Sequence, residues 1–195
     1  YSFGIIISLS IFIVLLFTTR LNKSIAHNEK EKMNYACMGL FEETGEVIAE
    51  FRKPLFKGNF HEKPLDIEDI KSELGDLMWY LALICKNTDI DMNQFKPIYN
   101  DKEKINKREK IIQIALKMGK QTGKIIEEYE KVYIQKTEKE ELISEIQKQY
   151  NNICELVNQI DINIDDILNE NIRKINSRYN EKGEKENNEQ ENESK

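Results

Sequence analysis

Five acidic residues in the first half of the chain have the chemistry and the spacing to bind a divalent cation. The segments FEETGE and ELGD place their carboxylates three or four positions apart, so each segment presents them on one face of a helix. If the two helices pack together, these carboxylates meet in one groove and repel each other until a hard cation such as Mg²⁺ binds their oxygens. Magnesium held in this way points to phosphate chemistry. The residues are Glu42, Glu43, Glu46, Glu73 and Asp76.

A solvated acidic face is the alternative interpretation of this spacing, since 35 of the 195 residues are Asp or Glu. Gly45 and Gly75 favour the functional interpretation, because a glycine inside a helix costs about 1 kcal/mol relative to alanine. A close approach of another helix, or room for a ligand, would explain them. Trp79 and Tyr80 follow Asp76 by about one turn, and Tyr80 lies on the stripe of the acids. Core packing is the alternative for both aromatic residues.

Helices must position these residues. With three prolines, eight glycines and 33% charged residues, the composition favours a helical chain over a sandwich or barrel, which needs many turns. One helix is predicted over residues 30–52, and Pro54 is predicted to end it. A second is predicted from the N-cap Asp66 to about Asn87, with apolar residues at steps of three and four. The expected fold is all-α, an antiparallel helical bundle.

The chain also carries a weak internal repeat. Residues 72–95 align without gaps on residues 144–167, at an offset of 72. The sequence TGEVI that begins at Thr44 resembles TGKII that begins at Thr122, at an offset of 78. Offsets that change only in predicted loops are typical of a duplicated unit.

The first repeat, residues 30–107, is predicted to be intact, and the second, residues 108–180, to be degenerate. Protonated lysines cannot bind Mg²⁺, so the second repeat is predicted to be metal-free, with its lysines free to pair with an acid. Glu145 is the counterpart of Glu73. The residues that replace Glu42, Glu43, Glu46 and Asp76 are, in order, Lys120, Gln121, Lys124 and Lys148.

The net charge and the cysteines argue against three classes of site or partner. A net charge of −6 argues against nucleic acid as a partner. The three cysteines are far apart and form no CxxC pair, which disfavours a zinc site or a disulfide framework.

Residues 1–20 form a hydrophobic segment, interpreted either as a membrane anchor or as an artefact of the gene model. Residues 181–195 are predicted to be a disordered polar tail. The expected location is cytoplasmic, with membrane anchoring as the alternative.

The two acidic segments and their surroundings carry a family resemblance. MGLFEETGEVIAEFRK followed by ELGDLMWYLALIC resembles the MazG-like nucleotide pyrophosphohydrolases of the all-α NTP pyrophosphatase superfamily. The signature of that family is EExxE, a variable gap and ExxD, and here 26 residues separate Glu46 from Glu73. The segment from Asn171 to Tyr179 is similar to the family's terminal N-x-x-K-x-x-x-R-Y pattern.

The resemblance implies a role for each matching residue. Glu42 would orient or deprotonate the attacking water. Tyr80 would contact the ligand, with Trp79 beside the base. Lys174 and Arg178 would reach the phosphates. The implied ligands of Mg²⁺, with Mn²⁺ as a substitute, are Glu43, Glu46, Glu73 and Asp76.

The reaction implied by the resemblance is Mg²⁺-dependent hydrolysis of nucleoside triphosphates to a monophosphate and pyrophosphate, as nucleotide-pool housecleaning. A dUTP- or dCTP-specific pyrophosphatase is the alternative within this enzyme class. A non-catalytic, membrane-anchored helical interaction protein is the alternative outside it. Family enzymes build their sites from facing subunits, so we expect a homo-oligomer or an internal pseudo-dimer of the two repeats.

Overall fold

The computed structural model describes residues 28–56, 64–96 and 106–177. These residues form five α-helices, a short 3-10 helix (Met92–Gln94) and one π-helical turn (Lys131–Gln135), and they contain no strand. The all-α helical bundle predicted from the sequence is confirmed. In chain order, the α-helices are α1 (Glu29–Phe56), α2 (Ile67–Asn87), α3 (Lys107–Glu130), α4 (Glu140–Gln159) and α5 (164–177).

Helix α2 begins and ends where the sequence predicts. The Asp66 side chain caps it by accepting a hydrogen bond from the backbone N–H of Asp69 at 3.2 Å, which satisfies one of the free N–H groups of the first turn. At the other end, the Thr88 hydroxyl donates to the Ile84 carbonyl at 2.8 Å. Asp89 follows with a φ of 51°, the left-handed conformation at which helices commonly end. The predicted span of this helix is therefore confirmed.

Helix α1 is longer than predicted. The sequence predicted that Pro54 would end it, but the helix continues through Pro54 to Phe56. Phe51 and Leu55 are buried in the core, and this burial outweighs the one helical hydrogen bond that a proline removes in a last turn. The Arg108 guanidinium of α3 donates to the Leu55 carbonyl oxygen at 3.0 Å, which satisfies an acceptor at the helix end.

The helices pack as two pairs that share one hydrophobic core. Helix α1 packs against α2, α3 packs against α4, and α1 and α3 pack against each other. The contact between α1 and α3 includes a hydrogen bond between two buried hydroxyl groups, Thr44 Oγ1 and Thr122 Oγ1, which are 2.8 Å apart. Helix α5 lies against α2, where Asn171 contacts Gly75. This arrangement brings α1, α2 and α5 together around the predicted acidic groove.

Three of the predictions fall on residues that the structure does not describe. They concern the hydrophobic segment 1–20, the tail 181–195 and Arg178, and they stay predictions. Among the helices that are described, none combines the length and the apolar character needed to cross a membrane.

Candidate metal and nucleotide site

Three of the predicted acidic residues converge between α1 and α2. One carboxylate oxygen from each of Glu43, Glu73 and Asp76 lies within 4.8 Å of the other two, and all three residues are partly buried. Glu43 projects from α1, and the other two project from α2, where they are three positions apart on one face. Two Mg²⁺–oxygen bonds of about 2.1 Å span up to about 4.2 Å, so these oxygens are near the separation that a divalent cation bridges.

The negative charges of the carboxylates in this cluster repel one another. Burial raises the pKa of Glu43 to about 7, with further contributions from the charges of Asp76, Glu46 and Glu73. Burial and a hydrogen bond with Glu46 likewise raise the pKa of Glu73 to about 7. Within the described part of the chain, the buried Oε2 atom of Glu43 has no hydrogen-bonding partner. An all-carboxylate donor set with one unsatisfied buried oxygen fits a hard divalent cation.

Glu42 and Glu46 lie on the exposed side of α1, beside the cluster. Glu46 shares a hydrogen bond with Glu73, and the charge of Glu42 contributes to the raised pKa of Glu43. Gly45 lies between them, and a Cβ atom added there would meet no described atom within 4 Å. The glycine at position 45 was explained either by close approach of another helix or by room for a ligand. No described helix approaches it, and the position borders open space.

Helix α5 covers another side of the cluster. Gly75 permits this approach, because a Cβ atom there would lie 2.9 Å from the Cβ atom of Asn171. The Asn171 amide donates to Asp76 Oδ1 at 2.6 Å. The Lys174 ammonium forms an ion pair with Asp76 Oδ2 and donates to the Ser72 hydroxyl at 2.8 Å. The structure thus brings Lys174 to the cluster.

Two of these contacts were not assigned by sequence reasoning. Asn171 had a signal, since it precedes Lys174 by three positions in the motif that resembles the family's terminal segment. That spacing places both residues on one face of a helix. For Ser72 the sequence holds no such signal, because a single serine one position before Glu73 forms no pattern.

Trp79 and Tyr80 lie about one turn beyond the acids on α2. Trp79 is buried, with its ring edge-on to Tyr80 at a centroid distance of 4.7 Å, and its Nε1 atom has no partner among the described residues. The Tyr80 hydroxyl donates to the Tyr35 hydroxyl at 3.2 Å, and burial raises the pKa of Tyr80. The Tyr80 ring lies over Gly39, where a Cβ atom would come within 2.0 Å of it. Trp79 therefore packs as a core residue, whereas Tyr80 remains half-buried.

A second polar cluster lies between α3 and α4, at positions that align with the first. The buried carboxylate of Glu145 accepts hydrogen bonds from the Gln121 amide and from the Lys148 ammonium, both at 2.5 Å. Lys124 lies 3.9 Å from the same carboxylate. Burial acts to raise the pKa of Glu145, but these donors outweigh it and lower the pKa overall. Amide and ammonium groups of the protein therefore neutralise this carboxylate.

Comparison with known proteins concerns the first of these two clusters. Gene 37 protein of Mycobacterium phage L5 is 33% identical over 60 residues, which are 31% of this chain and 53% of that protein. The match thus spans about half the length of this relative. No solved structure matches the chain significantly. Residues 31–112 match the family model of the MazG nucleotide pyrophosphohydrolase domain. The predicted resemblance is therefore confirmed for this segment, which contains Glu43, Glu73 and Asp76 and is similar to the MazG nucleotide pyrophosphohydrolases.

Proposed function

We propose that this protein hydrolyses nucleoside triphosphates to a monophosphate and pyrophosphate, with Mg²⁺ as the cofactor and Mn²⁺ as a substitute. The observation that carries the proposal is the convergence of Glu43, Glu73 and Asp76, with an unsatisfied buried oxygen on Glu43. The domain match supports nucleotide hydrolysis at the level of the family. The cation, held by these three carboxylates together with Glu46, would neutralise charge that develops on the phosphate oxygens.

Residues around the cluster are suited to bind and orient the substrate. Glu42 is exposed beside the open space at Gly45, where it can orient a water molecule or accept its proton during attack on the α-phosphorus. Lys174 offers a positive charge beside the cluster for a phosphate group. Tyr80 is half-buried on α2 and offers an aromatic ring to the nucleoside. An enzyme of this kind would remove unwanted nucleotides from the pool.

We propose further that the chain is a duplicated unit, in which the second repeat makes an internal pseudo-dimer with the first. Thr44 and Thr122 are aligned in the two repeats and contact each other, as equivalent residues do at a twofold axis. Asp89 and Asp161 are 72 positions apart and both have left-handed φ values, 51° and 56°. These residues follow α2 and α4, so the two aligned helices end in the same way. The duplication therefore accounts for two polar clusters at aligned positions.

The test is turnover by the full chain on a panel of ribonucleoside and deoxyribonucleoside triphosphates, with Mg²⁺ or with EDTA. We expect monophosphate and pyrophosphate to form together and only with the metal, and we expect Asp76→Asn to abolish both products. Glu141→Gln changes an exposed acid on α4 and should retain wild-type turnover. A strong preference for dUTP or dCTP would support the narrower alternative, a dUTP- or dCTP-specific pyrophosphatase. A folded protein without turnover on any substrate would contradict the proposal.

A further inference from the structure

Asp76 differs from the other carboxylates of the cluster, because both of its oxygens are already engaged. Asn171 donates to Oδ1 at 2.6 Å, and the Lys174 ammonium is paired with Oδ2. Both donors come from α5, 95 and 98 positions further along the chain. Glu43, by contrast, keeps a buried oxygen without a partner among the described residues. Glu43 therefore has an oxygen available to a metal ion, whereas Asp76 is already paired with an ammonium group.

Packing between α5 and α2 holds Lys174 in this position. Asn171 is 2% exposed and lies directly against Gly75. Lys174 is three positions further along the same face of α5, so its ammonium group reaches both Asp76 and the Ser72 hydroxyl. The side chains of Lys174 and Asp76 are 27% and 19% exposed. Water therefore screens this pair less than it screens an ion pair at the surface.

We propose that Lys174 is the internal counter-cation of the metal site: it neutralises Asp76 while no metal is bound, and it leaves Asp76 when a divalent cation binds. This inference rests on the proposed function, since it takes Asp76 as a metal ligand. An ammonium group and a divalent cation compete for Asp76 Oδ2, because two positive charges on one carboxylate oxygen repel strongly. Asn171 retains its hydrogen bond to Oδ1 in both states and acts as a positioning residue that orients the carboxylate.

The second cluster supports this exchange. There Lys148, which aligns with Asp76, donates from its ammonium group to Glu145. An ammonium group can therefore neutralise a carboxylate of such a cluster in place of a divalent cation. Lys148 is on the same helix as its partner, three positions away. Lys174 comes from a different helix, and its flexible four-carbon side chain can turn away from Asp76 without disturbing α2. The first cluster can therefore exchange its ammonium group for a metal.

The test is the affinity of the full chain for Mg²⁺ alone, measured by isothermal titration calorimetry without nucleotide. Lys174→Met should bind Mg²⁺ about tenfold more tightly, the scale expected for the loss of a partly buried competing ion pair. Ser72→Ala removes no charge but takes one hydrogen bond from the ammonium group, so affinity should rise about twofold to threefold. Arg173→Met, the matched control, removes an exposed charge from α5 and should change affinity by less than about twofold.

Each outcome decides the inference. Affinity of Lys174→Met equal to or below that of the wild type would overturn it, while the metal site would stand. Equal tightening by Lys174→Met and Arg173→Met would also overturn it, because the effect would then be general electrostatics. If Lys174→Met does not fold, tighter binding by Ser72→Ala supports the inference and unchanged binding refutes it. If neither the wild type nor any variant binds Mg²⁺ or Mn²⁺, the proposed function itself fails, and this inference fails with it.

Discussion

Glu73 and Glu145 occupy aligned positions in α2 and α4, 72 residues apart, yet their surroundings shift their pKa values in opposite directions. Burial and the neighbouring carboxyl group of Glu46 raise the pKa of Glu73 to about 7. At Glu145, burial is outweighed by hydrogen bonds from Lys148 and Gln121, and the pKa is lowered. Among the described residues of the first repeat, no donor compensates the charge of Glu73, whereas Glu145 receives hydrogen bonds from Gln121 and Lys148 of its own repeat.

A few side chains distinguish the candidate metal site from a structural hydrogen-bond cluster. Gln121 of α3 contacts Glu145 of α4 much as Glu43 of α1 approaches Glu73 of α2. Like charges brought together destabilise a fold, and such conflicts are expected at functional sites, where a ligand offsets their cost. We therefore interpret the first cluster as functional and the second as structural.

Removal of one acid from each cluster in turn should change turnover and stability more than any other substitution. Glu43→Gln should lower turnover by at least about a hundredfold, because changes to groups that merely orient metal ligands already cost about tenfold to a hundredfold. It should also stabilise the metal-free protein, since it removes a repelling charge. Glu145→Gln should leave turnover intact but destabilise the fold by about 1 kcal/mol, because the half-exposed Lys148 ammonium loses its charged partner. Steady-state kinetics and urea denaturation measure both effects. Loss of turnover in Glu145→Gln alone would reverse the assignment of the two clusters.

A second prediction concerns conversion of the second cluster into a copy of the first. Gln121→Glu combined with Lys148→Asp restores the three acids of the aligned positions, so the chain should bind two divalent ions where the wild type binds one. Calorimetry with Mn²⁺ measures this stoichiometry. The matched control, Gln121→Glu alone, retains the Lys148 ammonium and should leave the stoichiometry unchanged. Unchanged stoichiometry in a folded double variant would weaken the proposed duplication.

The metal-free protein is expected to lose stability as the pH rises from about 4.5 to about 7. Over this range, Glu43 and Glu73 retain protons in the folded state, where each pKa is raised from 4.5 to about 7, but lose them in the unfolded chain. The folded state thus binds more protons, and the free energy of unfolding falls with pH. The lowered pKa of Glu145 acts in the opposite sense, since its contribution is lost as the pH falls. Urea midpoints in EDTA measure the net slope.

Saturating Mg²⁺ supplies the control for this pH dependence. Carboxylates that bind a metal are ionised in the folded state, so the fall in stability between about pH 4.5 and pH 7 should disappear. Glu43→Gln should reduce the slope in EDTA. A slope that neither Mg²⁺ nor this variant alters would mean that other groups titrate.

Substitution of Gly45, or of its aligned counterpart Gly123 in α3, should have only small effects on stability and kinetics. A Cβ atom at either position would meet no described atom within 4 Å, so each change to alanine should stabilise its helix by about 0.5–1 kcal/mol. Only Gly45 borders the acids, so Gly45→Ala should lower kcat/KM whereas Gly123→Ala should not. Thermal unfolding and kinetics on both variants test this difference. Equal kinetics would mean that the space at Gly45 holds no substrate.

Local features of the fold could be predicted because they depend on neighbours in the chain. The N-cap Asp66 and the apolar stripe define α2, since caps and helical periodicity act within a few residues. The end of α1 could not be predicted in this way. Pro54 signals a stop, but burial of Phe51 and Leu55 in the core extends the helix to Phe56.

At the candidate site, the sequence alone shows which acids share a helical face, because residues three or four positions apart are neighbours on any α-helix. The convergence of Glu43, Glu73 and Asp76 within 4.8 Å depends on the packing of α1 against α2. The ion pair between Lys174 and Asp76, 98 positions apart in the sequence, likewise depends on helix packing. The reason is that contact between helices depends on how α5 packs over Gly75 and Asn171, and no periodic pattern within one helix encodes the position of another.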